Sequence, residues 1–557
     1  MVFYFKFSGE NTIPSIWNQG IGILTSISTT ILKQQQNVVE RGGDRKQLTL
    51  MTIASGVLGA YAVWKIKRHF WGENKKWSPS EVKLVPGGLP YFGHYFELSS
   101  DPIGFIKRCK AENGPVFILQ INGKMIYVLT GPLIYEEMLK KRKLYSFSLG
   151  LESFLPMRRA LKISYDHKYK GEQLERRDKN PVIYPIQHNF KADQISAFSE
   201  RIQLGLNKVL EEQLKLEKGE KIIMPLWDIL STSISQISCL AFAGRNIAYN
   251  QELVVEMANF TRKLQKIGMV LMTFPDWIAN LIIKRYLSVE SQLDLIMDLI
   301  VPEMQKMRSG EISDDSEPTY ISMVLNLPKA DGQRRTPKEA AFYFRYIVMA
   351  SIHTTTQYTS FALHELACRP ALVAALRTEI ESLDKKTPET IGEIRLMDSF
   401  LREVLRFNSH ILGLHHKTTQ DALLPSTGQI IPKDSLVLAA LLDSHMNPEI
   451  MTETTNLESS TSPLNQFDAY RYMSAKQEYD DSNNMRSSTI SHELLTFGMF
   501  SHACPGRYFA VNEIKYILAQ FIIRYNITTQ TGKRAEDFIF GGMSRFPPRE
   551  PLVFEGR

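Results

Sequence analysis

Cysteine is scarce in this chain. Four occur in 557 residues, at Cys109, Cys239, Cys368 and Cys504, and no two are close together. Such spacing excludes a disulfide framework and a zinc knuckle. It fits a reducing compartment. Internal repeats are absent. So is any basic stripe with interleaved aromatics, and no nucleic-acid partner is expected. The formal net charge of +7 is modest for this length. It suits an anionic membrane surface or an acidic protein partner. No basic n-region opens the chain, so a cleaved signal peptide is not expected.

What is present is apolar. Hydrophobic residues make up 43% of the chain, enough for a large core. Leu48 to Trp64 is free of charge over 17 residues, the short end of the membrane-spanning range. Trp64 stands where an interfacial aromatic belongs, and Lys65, Lys67 and Arg68 follow. Arg41, Arg45 and Lys46 precede the segment, so the positive-inside rule does not orient it. A buried core helix is the competing reading. Residues 21–32 form a weaker apolar stretch that is interfacial or a second insertion. Trp77-Ser78-Pro79 and Leu84-Val85-Pro86-Gly87-Gly88-Leu89-Pro90 break regular structure and read as a linker.

Val116 to Ile121, Asn122-Gly123 and Met125 to Leu129 read as a hairpin. From about residue 195 to 415 the pattern is mainly helical. Residues 308–318 and 452–488 are polar and expected to be mobile.

Cys504 carries the strongest chemical signal. It lies in Phe497-Gly498-Met499-Phe500-Ser501-His502-Ala503-Cys504-Pro505-Gly506-Arg507. Pro505 suits a first helical position, and Ile514, Leu518 and Phe521 continue at helical spacing. A thiolate at a helix N-terminus meets free N–H groups and the positive dipole end, which lowers its pKa and prepares it for a metal. Gly506 leaves room for a flat ligand. The bland alternative is a buried structural cysteine. The segment resembles the cysteine loop of the cytochrome P-450 family, Phe-x-x-Gly-x-Arg-x-Cys-x-Gly-x-x-x-Ala. Two departures stand out. Phe500 replaces the second glycine, which suggests a different bulge. His502 replaces the arginine that pairs with a haem propionate; it can donate a hydrogen bond without a permanent charge.

The helix expected over residues 338–367 contains Ala350-Ser351-Ile352-His353-Thr354-Thr355. Threonine hydroxyls within a helix can bond to backbone carbonyls. The segment resembles the family's central-helix motif, Ala/Gly-Gly-x-Asp/Glu-Thr-Thr. The resemblance matches Thr354 to the proton-relay threonine and His353 to the acid. The variant is similar to that of a fungal branch including kaurene-type diterpenoid oxidases. Locally capped polar residues in an ordinary helix are the alternative.

Glu403 and Arg406 lie three apart, on one helix face. Apolar neighbours favour a buried pair that needs a third partner. The resemblance supplies it in Arg471, completing a Glu-Arg-Arg cluster. Between them, His416 occupies the strand position of a propionate-binding arginine. A metal-binding His415–His416 pair competes, but adjacent strand residues face opposite sides. The family's Trp-x-x-x-Arg pattern is missing from its region.

The resemblance covers roughly residues 80–557. It implies a mainly α fold with small β-sheets, the cytochrome P-450 fold, preceded by an N-terminal membrane anchor. The expected divisions are an extension (1–47), the anchor (48–64), a basic and proline-rich linker (65–90) and a haem-thiolate catalytic domain (91–557). The implied cofactor is haem b, with Cys504 as iron ligand and Phe497, His502, Gly506 and His416 around it. The implied reaction is monooxygenation of a lipophilic terpenoid- or steroid-like molecule in secondary metabolism. It uses O2 and electrons from an NADPH-cytochrome reductase. Membrane lipid is an expected partner. The expected location is the endoplasmic reticulum membrane, single-pass, with the catalytic domain cytosolic. Two other readings stay open: a reductase-independent haem-thiolate isomerase or dehydratase, and a non-catalytic haem-binding membrane protein.

Overall fold

The computed structural model describes residues 80–154, 157–164, 180–312, 319–329, 331–451, 462–473 and 486–557. The expected anchor, the extension before it and most of the linker lie outside them. No helix among the described residues is long and apolar enough to cross a membrane. Most of the two polar segments also lies outside.

Strands β1 (Lys83–Leu84), β2 (Val116–Ile121), β3 (Lys124–Leu129), β4 (Tyr145–Ser146), β5 (Gly413–Thr418) and β6 (Leu436–Ala439) form one sheet. Its order is β1-β2-β3-β6-β5-β4. The β2–β3 hairpin turns at Asn122 and Gly123, with φ of 48° and 75°. Two successive positive φ values are what an Asn-Gly turn accommodates with little strain. Strand β5 pairs antiparallel with β6, and its register shifts between Gly413 and His416. Leu414 absorbs the irregularity at φ 51°. Near the C-terminus β7 (Phe538–Phe540) and β8 (Ser544–Phe546) form a separate hairpin.

The helical body is built around one long helix. The helices needed below are α1 (Pro132–Lys140), α2 (Tyr184–Asn189), α3 (Leu226–Phe242), α4 (Gln251–Thr273), α5 (Asp276–Tyr286), α6 (Pro337–Ala367), α7 (Arg395–Phe407) and α8 (Arg507–Arg524). Helix α6 has a reciprocal cap. Glu339 N–H donates to the Thr336 hydroxyl at 3.2 Å, and Thr336 N–H donates to the Glu339 carboxylate at 2.7 Å. Pro337 fills the first turn, where its missing N–H costs nothing. The helix is 31 residues long and buried over most of its surface. Apolar side chains of α3, α4, α6, α7 and α8 share one large core cluster.

Within that core α6 carries an accessible stripe. Tyr346, Ala350, Thr354 and Tyr358 retain accessible surface while their helix neighbours Met349, Ile352, Thr355 and Thr356 are buried. A spacing of four places them on one face. A stripe of this kind on a central helix marks the wall of an internal space.

Candidate functional site

The cysteine loop connects a 3-10 turn at Leu495–Phe497 to helix α8 through a second at Phe500–His502. Gly498 is required at its position. Its φ is 68°, and a Cβ there would meet His502 O at 2.6 Å. Phe500 keeps a left-handed backbone, φ 50°, despite its side chain. The exchange of glycine for Phe500 therefore puts a bulky residue into a conformation that favours glycine. The exposed ring lies 5.0 Å from Lys140 Nζ of α1.

Cys504 N–H donates to Phe497 O at 2.7 Å. The backbone N–H groups of Gly506 and Arg507 point at the sulfur. Burial nevertheless pushes the thiol up, with those N–H groups and the Arg507 charge opposing it. The sequence predicts the reverse direction. The reason lies in the helix start: α8 begins at Arg507 with Gly506 as its cap, so Pro505 is outside the helix. The dipole effect fades within a turn. The Cys504 thiol is thus desolvated, although the residue as a whole remains partly accessible. Gly506 has φ −87°, and an added Cβ would touch Ile186 alone, at 3.8 Å. Neither conformation nor protein packing demands glycine there. The Tyr358 hydroxyl, on the accessible stripe, lies close enough to the Thr496 side chain beside Phe497 to offset part of the upward push of burial on its pKa. The stripe thus lies near the cysteine loop.

On α6 the Thr354 hydroxyl donates to Ala350 O at 2.6 Å. Thr356 and Thr359 make the same bond one turn back, at 2.6 and 2.7 Å. His353 packs edge-on to Trp227 of α3 at 5.5 Å and parallel to Phe546 of β8 at 6.4 Å. Burial pushes this imidazole down to about 4. It is neutral at physiological pH, and its Nδ1 is buried without a partner.

The other residues of interest fall into two groups. Glu403 and Arg406, both on α7, are fully buried and pair bidentately at 2.7 and 2.8 Å. Arg471 Nε donates to both Glu403 oxygens at 3.2 Å. The remaining donors of the two arginines go to backbone oxygens of His445, Leu464, Ser462, Pro463 and Gln466. His416 and His502 also come together, with Nε2 of the first 3.2 Å from Nδ1 of the second. His502 Nε2 is buried and unpartnered. His415, next to His416, lines a separate narrow cleft with Lys124, Ser153, Met272 and Met543.

Several residues at this site escape sequence reasoning. Arg142 lies close enough to His502 to help depress its pKa, behind the burial effect. His410 and Phe546 face His353. Tyr184 and His188 of α2 stack at 3.8 Å, four residues apart, next to the Ile186 that approaches Gly506. Their spacing is that of the missing Trp-x-x-x-Arg, a signal that residue identity obscures.

Comparison with known proteins identifies the class. The chain matches the family described as Cytochrome P450 over residues 84–552, and it belongs to that family. It is 26% identical over 329 residues to cytochrome P450 monooxygenase ascG of Acremonium egyptiacum, covering 54% of this chain and 61% of that protein. It is 23% identical over 344 residues to ent-kaurene oxidase of Gibberella intermedia, covering 59% and 63%. The chain thus matches less than two thirds of either relative's length. Among solved structures, the crystal structure of the cytochrome P450DA haem domain superimposes with a TM-score of 0.65 at 16% identity. That match covers 86% of this chain and 97% of the other.

The family binds haem, and the residues present fit it. A cysteine sulfur faces two backbone N–H donors, and the residue stays partly accessible. A glycine beside it has no packing role in protein. A buried imidazole nitrogen on the same loop, His502 Nε2, lacks a partner among the described residues. Each suits a flat, metal-bearing group with polar edges.

Proposed function

We propose that the chain is a haem b–thiolate monooxygenase. It places one oxygen atom of O2 into a C–H bond of a lipophilic terpenoid- or steroid-like molecule, in secondary metabolism. The other atom leaves as water after uptake of two protons and of two electrons from NADPH-cytochrome reductase. Bound haem supplies the oxygen activation, which a thiolate ligand favours. Cys504 holds the iron. Gly506 and Arg507 N–H groups steady the thiolate charge. Thr354 offers a hydroxyl at the opposite wall, and His353 a neutral imidazole that can carry a proton. Phe497, His502, Gly506 and His416 surround the cofactor.

One observation carries the reading. The Cys504 loop, held by Cys504 N–H to Phe497 O, lies near the accessible α6 stripe, whose Tyr358 faces Thr496 next to Phe497. The similarity to ent-kaurene oxidase supports a terpenoid substrate. The test is Cys504→Ala: the reduced carbon-monoxide band of the wild type should vanish. Survival of that band would remove Cys504 as ligand. Product formation by the wild type without NADPH and reductase would favour an isomerase.

We also propose that residues 48–64 anchor the chain in the endoplasmic reticulum membrane as a single pass, with the catalytic domain cytosolic. An exposed apolar group near the start of the described chain supports this. Phe92 and Phe96 lie in contact at 5.4 Å. Tyr91 OH donates to Thr273 O at 3.0 Å, which brings exposed Phe274, Trp277 and Leu281 alongside. Aromatic and aliphatic side chains at one face suit a lipid interface. Deleting residues 1–70 should release much of the protein from membranes with haem retained. Loss of haem on deletion would make the segment part of the core.

A further inference from the structure

The strongest unexplained feature beside the accessible α6 stripe is an aromatic cluster. The Phe546 ring lies 6.4 Å from His353 and 6.3 Å from His410. These three residues come from helix α6, from the chain just past α7 and from strand β8. None uses its imidazole or ring in the cysteine loop.

His410 has a fixed proton. Its Nδ1 accepts the Arg545 N–H at 3.1 Å, so the neutral ring carries hydrogen on Nε2. No protein acceptor for that N–H is found among the described residues, and the nitrogen is not among the buried unpartnered atoms. It therefore remains accessible. The same holds for His353 Nε2, whereas its Nδ1 is buried. Both imidazoles are neutral. Burial pushes each down to about 4, and for His410 the charges of His353 and Arg545 add to it. Arg545 is itself engaged, donating to Phe407 O at 2.6 Å.

We infer that His410 and His353 form a hydrogen-bonding pair that reads a neutral oxygen on the substrate, a ketone, aldehyde, lactone or alcohol. Trp227 and Phe546 present aromatic faces to His353, so a hydrogen-bonding group beside them discriminates by chemistry. A carboxylate would be desolvated, which is costly, and the cation beside His410, Arg545, already faces Asp537 at 3.8 Å. A neutral carbonyl needs one donor, and His410 Nε2–H supplies it. An alcohol can donate to or accept from His353. This inference rests on the proposed monooxygenase function and narrows its substrate class.

The test uses the haem-loaded enzyme and ligand-binding difference spectra. The probes are abietadiene, abietadienal and abietic acid, with 5α-pregnane and progesterone as a second scaffold. Wild type should bind the aldehyde and the steroid ketone more tightly than the matching hydrocarbons and the acid. His410→Phe should cut that carbonyl-over-hydrocarbon preference about fivefold, the value of one net hydrogen bond. His410→Gln, which keeps an N–H donor, should recover part of it. A purely structural role would weaken hydrocarbon and carbonyl ligands alike and leave the ratio unchanged. Should His410→Phe fail to load haem, His353→Phe carries the same ratio test. An unchanged ratio, or tightest binding of abietic acid, overturns the inference and leaves the monooxygenase reading intact. Absence of a spectral shift with every probe overturns both the terpenoid-or-steroid reading and this one.

Discussion

His416 and His502 are bonded to each other, and the direction of the bond can be deduced. His416 Nδ1 lies 2.5 Å from Leu414 O, so it carries the proton and His416 Nε2 is an acceptor. The contact at 3.2 Å then requires His502 Nδ1 to donate. Neutral His502 is left with a bare Nε2 that no group among the described residues meets. Two neutral rings stand where the sequence resemblance predicts propionate-binding arginines, and the Arg142 charge acts on His502.

The first prediction concerns cofactor retention. Charge-assisted hydrogen bonds are about twice as strong as neutral ones. His502→Arg replaces a bare acceptor with charged donors and should therefore slow haem transfer to apomyoglobin several-fold, whereas His502→Ala removes only an acceptor and should change it little. An unchanged rate in His502→Arg would remove this residue from the haem edge.

A second prediction isolates backbone strain. Phe500 and any replacement are held at φ 50° by the loop, where glycine alone is at ease. A left-handed conformation costs a non-glycine residue about 1–2 kcal/mol. Glycine's extra freedom in the unfolded chain returns about 0.5–1 kcal/mol of that. Phe500→Gly should be more stable than Phe500→Ala by about 0.5–1 kcal/mol in urea denaturation. Equal stabilities would mean that the loop relaxes when the ring is removed.

The Glu403 cluster gives a third. Both arginines are buried with it. Removing the carboxylate leaves two desolvated cations, a loss of about 3–5 kcal/mol in buried pairs. Glu403→Gln should therefore yield little haem-loaded protein, measured as the ratio of haem to protein absorbance. Arg471→Lys should fall between, because lysine lacks the fork that reaches both the carboxylate and the backbone oxygens.

These sites differ in how far they could be read in advance. The cysteine loop and the Glu403–Arg406 pair are local, and short spacings reveal them. Arg471 needed an ordered pattern across the chain. The His410–Phe546–His353 cluster was invisible, because it forms when a C-terminal hairpin folds back onto α6 and no spacing encodes that return. Phe500 reads as a departure from the loop pattern, whereas the backbone keeps a glycine-like φ and stores the difference as strain. The direction of the Cys504 pKa was misjudged because burial outweighs two N–H groups once the helix starts three residues later than the cysteine.

Buried histidines supply a fourth prediction, with pH. His445 Nε2 accepts the Leu495 N–H at 2.9 Å, and its Nδ1 lies 3.0 Å from the Ser409 hydroxyl. A second ring proton would confront that N–H. Burial first, and Arg406 next, push His445 down to about 3. His415 is pushed to about 3 by burial, then by His410 and His416. In the unfolded chain both titrate near about 6.5. Below that value the unfolded state takes up protons that the folded state refuses, so stability falls as pH drops from about 6.5 toward about 3. Each should contribute a loss of about 2 kcal/mol by pH 5. The urea midpoint should fall between pH 7 and 5, and His445→Gln should flatten that fall. A pH-independent midpoint would mean that the rings are not neutral when folded.

The last prediction concerns oxygen activation and the division of labour on α6. Thr354 lies on the accessible stripe, and its hydroxyl donates to Ala350 O at 2.6 Å. In that state its oxygen can still accept a hydrogen bond, so it can hold a water or a bound oxygen group in place. Thr354→Ala removes that acceptor and donor while leaving the apolar contacts of the helix. The haem spectrum and NADPH consumption should persist, product per NADPH should fall, and hydrogen peroxide should rise. Positioned acid–base groups contribute about a hundred- to ten-thousand-fold, so the change should exceed assay noise. Thr354→Ser should restore coupling. His353 is neutral and walled by Trp227 and Phe546, with an accessible Nε2 that can pass a proton without gaining lasting charge. His353→Ala should add to the uncoupling. If Thr354→Ala leaves coupling unchanged while His353→Ala abolishes it, the two roles are exchanged. If neither substitution alters coupling, the monooxygenase reading gives way to an isomerase that needs no proton delivery to oxygen.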